Sequence, residues 1–346
     1  MDRAGLLQTL ATAEASPRRP ILTCVNGDNT WLISIPRPPA SGGGKVFYHI
    51  LLDPWLGGHT DSFSRWVLRM RLKQDAALGS IGAIEDWIRD TETACGGAKA
   101  AGEEEERRWL DAVLVTHLNA DHLHEPTLRT LDPSTSVFAV SGAAAAVSAL
   151  KHFDNVAPVP DFVRGEPWPA APAGMPAWLS VFRLRDEKGA YPYIYHAMII
   201  GTSSSSSSSS AAADGEEEEE GKGKSKGEVI LYTPHGVEPE MVEAAMRANP
   251  AAGVVAMMHP LNECGVGVIS KGVANGLRIE RQNGVRHWVN THDDKIQYAG
   301  ILGYFMQYGR KTLEQGLEEE AREKGGEEQR RPNYVVVGNG GSYILT

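Results

Sequence analysis

An α/β fold, with sheets covered by helices, is the class this 346-residue sequence predicts. Three observations carry it. Apolar runs of strand length cluster early in the chain, then alternate with stretches of helical periodicity. No repeat period interrupts that order. Several of the apolar runs stop abruptly at a histidine or aspartate, as strands do where an α/β sheet presents its ligand-binding edge.

Strands are expected at 21–25, 30–35 and 46–53, the last two joined through "PRPPASGGGK" (36–45) as a hairpin with a loose tip. Helical patterns follow at 61–72 and 82–93. Further strands are expected at 112–116, 136–140, 179–185, 193–200, 228–233, 253–258, 286–290 and 334–337. The helices between and after them fall at 124–131, 142–150, 238–248, 271–283 and 295–308. Two stretches read as insertions. "CGGAKAAGEEEERR" (95–108) is a flexible acidic spacer, and 202–227 is a Ser/Glu-rich tract too polar to bury a core. Strand-like runs flank the second tract on both sides, so it reads as a swollen hairpin loop inside one domain spanning 20–345.

Composition narrows the function. A hydrophobic fraction of 42% beside 23% charged residues fits a globular protein with ample core. The net charge of -10 and the lack of a basic tract argue against a nucleic-acid partner. Cys24, Cys95 and Cys264 form no CxxC pair, which argues against a disulfide framework and for a reducing compartment. No apolar run approaches the ~20 residues of a membrane span, and the first residues lack a secretory core. The expectation is a cytoplasmic protein with a small-molecule substrate and no membrane partner.

The chemistry concentrates in "AVLVTHLNADHLHEP" (112–126). A buried-strand run ends at His117, and Asp121, His122 and His124 follow on the short connection to a helix. Imidazole and carboxylate converging from such a loop suit zinc, iron or manganese. The same shape recurs. "GVRHWVNTHDD" (284–294) ends at His292, "EVILYTPHGV" (228–237) at His235, and "VFYHILLDPWLGG" (46–58) at Asp53.

On these residues the chain resembles the metallo-β-lactamase-fold superfamily, on a divergent, lactonase-like branch. Asp53 matches the family's early strand-end Asp, and Thr116, His117, Asp121 and His122 match its T-H-x-H-x-D-H motif. His292 matches the last His. The resemblance implies an αββα sandwich of two mixed sheets flanked by helices, with Asp53, His117, His122, His235 and His292 on one edge. It also implies a divalent metal, zinc first and manganese or iron as alternatives. Three departures stand out. Asn119 replaces the second histidine, no third-motif histidine stands at a strand tip on 180–196 because His196 falls inside the apolar run, and His235 stands at or next to the place of the absent bridging Asp. The family's first metal position is thereby damaged, while Asp121, His122 and His292 of the second remain. One ion or a weakened pair is implied, with His117 and His235 completing the shell.

Each residue also has a plainer reading. Asp121 could cap the following helix, Asp293 or Asp294 could cap a later one, and His235 could belong to a Pro-His-Gly turn. Asp53 reads as a carboxylate supporting a ligating histidine. Asn119, His124 and His259 are candidate pocket residues, whereas His49, His152, His196 and His287 read as structural or surface. The function expected is hydrolysis of an ester, lactone or phosphoester by metal-activated water. Asp121 would orient that water, and His235 or His124 would protonate the leaving group. The alternatives are an eroded scaffold kept as a binding module and a mononuclear iron oxidoreductase.

Overall fold

Two mixed sheets stack across a shared apolar core, with helices on both outer faces. The computed structural model describes residues 1–12, 18–39, 44–96, 108–186, 193–202, 227–265, 270–293 and 295–346. Asp294 and nearly all of the two expected insertions (97–107 and 203–226) lie outside the described residues.

The first half of the chain contributes β1 (Ile21–Cys24), β2 (Trp31–Pro36), β3 (Phe47–Leu52), β4 (His59–Ser62), β5 (Leu68–Leu72), β6 (Ala112–Val115), β7 (Ser136–Val140) and β8 (Val156–Val159). The second contributes β9 (Leu179–Arg185), β10 (His196–Thr202), β11 (Gly227–Tyr232), β12 (Ala252–Met258), β13 (Glu263–Gly265), β14 (His287–Val289), β15 (Ile296–Ala299), β16 (Gln307–Gly309), β17 (Tyr334–Val335) and β18 (Ser342–Ile344). The helices are α1 (Arg3–Thr12), α2 (Ile81–Ala94), α3 (Glu125–Leu128), α4 (Ser141–Ala149), α5 (Pro239–Ala248), α6 (Gly272–Asn283), α7 (Ile301–Tyr304) and α8 (Leu313–Glu323).

One sheet runs β18-β1-β2-β3-β6-β7-β8 and the other β17-β14-β12-β11-β10-β9. β3, β6 and β7 are parallel, as are β11, β12 and β14. "FYHILL" and "AVLV" are buried at every position, as strands covered on both faces must be. Leu6, Ile84, Trp87 and Val147 from α1, α2 and α4 join the core that both sheets share. Met241, Val242, Val273 and Leu277 from α5 and α6 cover the outer face of the second sheet. This is the expected αββα arrangement. β10 and β11 pair antiparallel, from Met198 opposite Tyr232 to Gly201 opposite Val229. Among the described residues, no helix is long and apolar enough to cross a membrane.

Three expectations need correction. Residues 61–72 are not a helix but β4, a turn and β5. Leu68, Met70 and Leu72 alternate with the arginines, a period of two that marks a strand. Residues 295–308 are not a helix either. β15, the single turn of α7 and β16 occupy them, and Gly300, at φ 86°, breaks the run. α1 and α8 form where the sequence reading places nothing. α8 starts with a capping box, in which Thr312 accepts from the Gln315 N–H and Gln315 answers to the Thr312 N–H.

At the edge opposite the metal-type residues, Glu92 of α2 accepts hydrogen bonds from the Val46 and Phe47 N–H groups and pairs with the buried His49 ring. His49 is therefore structural, as expected.

The fit between α6 and the second sheet leaves no spare volume. A Cβ on Gly276 would lie 2.3 Å from the fully buried Trp288 ring. Gly276→Ala should destabilise the fold by about 1–3 kcal/mol through overpacking, read as a lower urea midpoint at unchanged slope. An unchanged midpoint would show that the Trp288 ring can yield.

Candidate metal centre

Five chain segments end at one edge of the sandwich. β3 delivers Asp53 and β6 delivers Thr116 and His117. The following turn brings Asp121 and His122. Beyond the ends of β11 and β14 lie His235 and His292. The ring nitrogens of His122, His235 and His292 all lie within 4.8 Å of one another. His235 Nε2 is 3.3 Å from His122 Nε2, and Asp121 Oδ2 is 3.5 Å from His292 Nε2 and 3.8 Å from His122 Nε2. His122 and His235 are buried. The structure thus brings together four of the sequence-predicted residues from three separate places in the chain.

The rings are held by their far nitrogens. His122 Nδ1 lies 2.6 Å from Asp53 Oδ2, and His292 Nδ1 lies 2.8 Å from Asp28 Oδ2. A carboxylate only accepts, so each Nδ1 carries a proton and each Nε2 is the nitrogen that faces the cluster. A carboxylate behind a ligating histidine is a recurrent feature of metal sites. Asp28 does more than orient the ring. Its carbonyl accepts from the His292 N–H and the Thr291 hydroxyl, fixing His292 at φ 53°, a left-handed conformation that costs free energy in a non-glycine residue. Asp53 is likewise left-handed, at φ 45°.

Asp53 itself is held by four donors. Its Oδ1 accepts from the Thr116 N–H, and its Oδ2 faces the Thr116 hydroxyl, His122 Nδ1 and the Tyr232 hydroxyl. Four donors already converge on this carboxylate, so in the grouping of Asp53 with His117 and His122 its role here is a hydrogen-bonded support. Both ring nitrogens of His117 also face protein. Nδ1 lies 2.7 Å from the Thr116 hydroxyl and Nε2 lies 3.1 Å from the Ile194 carbonyl. His196 stacks on the His117 ring with centroids 3.9 Å apart and donates from Nε2 to the Thr116 carbonyl. Its place beside the cluster is a correction to the reading that set it apart. His196 Nδ1 is buried without a partner.

The remaining candidates separate. Asn119 lines the cleft in front of the cluster. His124, not Asp121, caps α3, accepting from the Thr127 N–H, with its ring beside Trp55. His259 packs against Trp288 on the α6 side and places Nδ1 at the Pro260 carbonyl; it is absent from the cleft lining. Asp293 accepts from the Leu261 and Asn262 N–H groups and lines the cleft. Leu68, Met70, Ile296, Tyr298 and Met306 form an apolar wall opposite.

Electrostatics favour a cation here. Burial works against a charged His292, yet Asp28, Asp121 and Asp53 outweigh it and raise its pKa to about 9. His117 and His235 are pushed well below the ordinary histidine range by burial and by their histidine neighbours. Both rings remain neutral. The buried Oδ1 of Asp28 has no hydrogen-bond partner. The His122 and His235 Nε2 atoms, facing one another beside the Asp121 carboxylate, fit a divalent cation.

Asp28 and Tyr232 escape sequence reasoning. "NGDN" (26–29) reads as a turn between two strands, and its only signal is its position at the same sheet edge.

Burial lowers the His259 pKa from 6.5 to about 4. Between those values the unfolded chain binds a proton that the native chain refuses. The stability contribution is therefore complete above pH 6.5 and is lost as pH falls toward 4, on the order of 3 kcal/mol at 1.36 kcal/mol per pKa unit. Urea unfolding across pH 4–7 should show a shallower acid decline for His259→Asn than for the unmodified chain. Equal slopes would remove His259 from that role.

Comparisons with known proteins bear on the fold. No family model matches the sequence, and no curated protein does. Solved structures do match. An isothiocyanate hydrolase from Delia radicum gut bacteria superposes with a TM-score of 0.52 at 13% identity, over 94% of this chain and 99% of that one. A possible metal-dependent hydrolase from Veillonella parvula gives 0.50 at 12% identity, over 95% and 100%. With both sheets, both helical layers and the shared edge in place, the chain has the metallo-β-lactamase fold.

Proposed function

We propose that the chain is a metal-dependent hydrolase of a small ester, lactone or phosphoester. The observation that carries this reading is the convergence of His122, His235 and His292 Nε2 with Asp121 Oδ2, two of the rings being anchored by carboxylates from behind. Two ligands about 2.0–2.1 Å from a tetrahedral zinc stand about 3.3 Å apart, and the His122–His235 separation is 3.3 Å. Zinc is the ion the set fits best. A single ion is favoured, because both His117 ring nitrogens face protein groups, the Thr116 hydroxyl and the Ile194 carbonyl.

A divalent ion bound there would lower the pKa of its water to about 7 and polarise a carbonyl or phosphoryl oxygen. The chain's own residues do the rest. His122, His235 and His292 would hold the ion, and Asp53 and Asp28 keep the His122 and His292 rings aimed. Asp121 borders both the ligand set and the open cleft, so its carboxylate orients the attacking water and takes its proton. His235, neutral and facing His122, serves as a donor to the ion and not as the acid sketched from sequence. His124, at the N-terminus of α3, takes no part. Asn119 offers its amide to the substrate at the cleft mouth. The wall of Leu68, Met70, Ile296, Tyr298 and Met306 excludes water and receives an apolar substituent.

Elemental analysis of protein purified without added metal or chelator should find about one equivalent of zinc, absent from His122→Ala and His292→Ala. Asp28→Asn should retain the fold and lose about 10–100-fold in metal affinity, the usual effect of removing such a support. Esters, lactones and phosphodiesters would then be screened on the loaded chain. Iron in place of zinc would turn the assignment to redox chemistry. No metal, even after reloading, would overturn it in favour of a binding scaffold.

A further inference from the structure

Beside the cleft, the small sheet β4-β5-β15 carries large apolar side chains into solvent. Phe63 at the β4–β5 turn is 93% exposed and Tyr304 of α7 is 86% exposed. Trp66, Ile301 and Phe305 are exposed as well. They form one surface. The Ile301 N–H bonds to the Trp66 carbonyl and the Leu302 N–H to the Val67 carbonyl, and the Tyr304 and Phe305 rings meet edge to face at 5.4 Å. Contiguous exposed apolar surface of this kind marks an interaction site.

Charge says with what. Segments 59–73 and 295–312 together hold seven lysines and arginines and one acidic residue, a net of +6 on a chain of net -10. Asp61 is paired with Arg69, and Lys311 is paired with Glu319. Arg65 stacks on Trp66, and Arg71 projects from the outer face of β5, whose inner face buries Met70 and Leu72. Trp, Tyr and Phe interleaved with arginine on a projecting tip are the side chains that settle at a membrane interface. The surface is continuous with the cleft. Ser62, Leu68, Tyr298 and Met306, its neighbours in sequence, line the cleft wall.

We infer that the β4–β5 turn and α7 dock the protein peripherally on an anionic lipid surface, with the cleft mouth beside the contact. Among the described residues no helix is long and apolar enough to cross a membrane, so the contact proposed is a peripheral one. The rest of the chain, net -16, is repelled by the same surface and so orients the approach.

The test is co-sedimentation of the full chain with vesicles of phosphatidylcholine alone or with about one-third phosphatidylglycerol. Binding is expected to the anionic vesicles only, and to be lost at 1 M salt, where the Debye length is about 3 Å. Phe63→Ser with Tyr304→Ser should weaken it about tenfold or more while leaving thermal stability unchanged, since both side chains are exposed. Arg65→Gln with Arg71→Gln should weaken it about thirtyfold, at roughly fivefold per basic residue. Wild-type protein left in the supernatant, equal binding to neutral vesicles, or variants that bind as well as wild type would overturn the inference. So would a dimer in analytical ultracentrifugation that the Phe63/Tyr304 pair abolishes without any vesicle binding, because a second copy would then cover the patch.

Discussion

The Asp53 carboxylate is the interaction on which the rest of the site depends. It is buried and would be costly there alone, but four donors surround it. The Thr116 N–H and hydroxyl come from the neighbouring parallel strand, His122 Nδ1 from the motif turn and the Tyr232 hydroxyl from the opposite sheet. One side chain thereby fixes the end of β3 to the end of β6, sets the tautomer of a cluster histidine and ties the two sheets together. Asp28 repeats the arrangement on a smaller scale. It holds the His292 ring through its carboxylate and the His292 main chain through its carbonyl. The two left-handed residues at this edge, Asp53 and His292, sit where these bonds over-determine the backbone.

The cluster follows from topology as much as from residue type. In each sheet the parallel strands end on the same side, so residues far apart in sequence arrive together with no long-range design beyond strand direction. That explains why the strand-end pattern was legible. Apolar runs ending at Asp53, His117, His235 and His292 needed only a common direction to meet, and the structure supplies it. The helices flanking the second sheet were legible for a similar reason, since α5 and α6 carry clear amphipathic periodicity.

What was not legible has equally physical causes. Asp28 lies on a turn with no periodic context, 264 residues from the ring it orients. His196 looks like one more residue of an apolar strand, and only the register of β10 against β9 and β11 places it at the start of the strand, beside His117. Residues 61–72 carry enough apolar side chains to suggest a helical stripe. Their alternation with arginine decides for a strand, and the outcome matters because that strand forms the cleft wall. The one-turn helix α7 is too short to leave a periodic trace, and Gly300 and Gly303 obscure it further.

The β10–β11 pair has a further consequence. Both strands are paired on their outer sides, β10 with β9 and β11 with β12, so their register does not depend on the residues that join them. That junction leaves from Thr202 and returns at Gly227, at the end of the strands away from His196 and Tyr232. The junctions between Pro36 and Phe47 and between Ala94 and Ala112 open on the same remote edge, where Glu92 reaches Val46. A reporter or an affinity handle spliced at any of the three junctions would enter at the edge farthest from the cluster histidines.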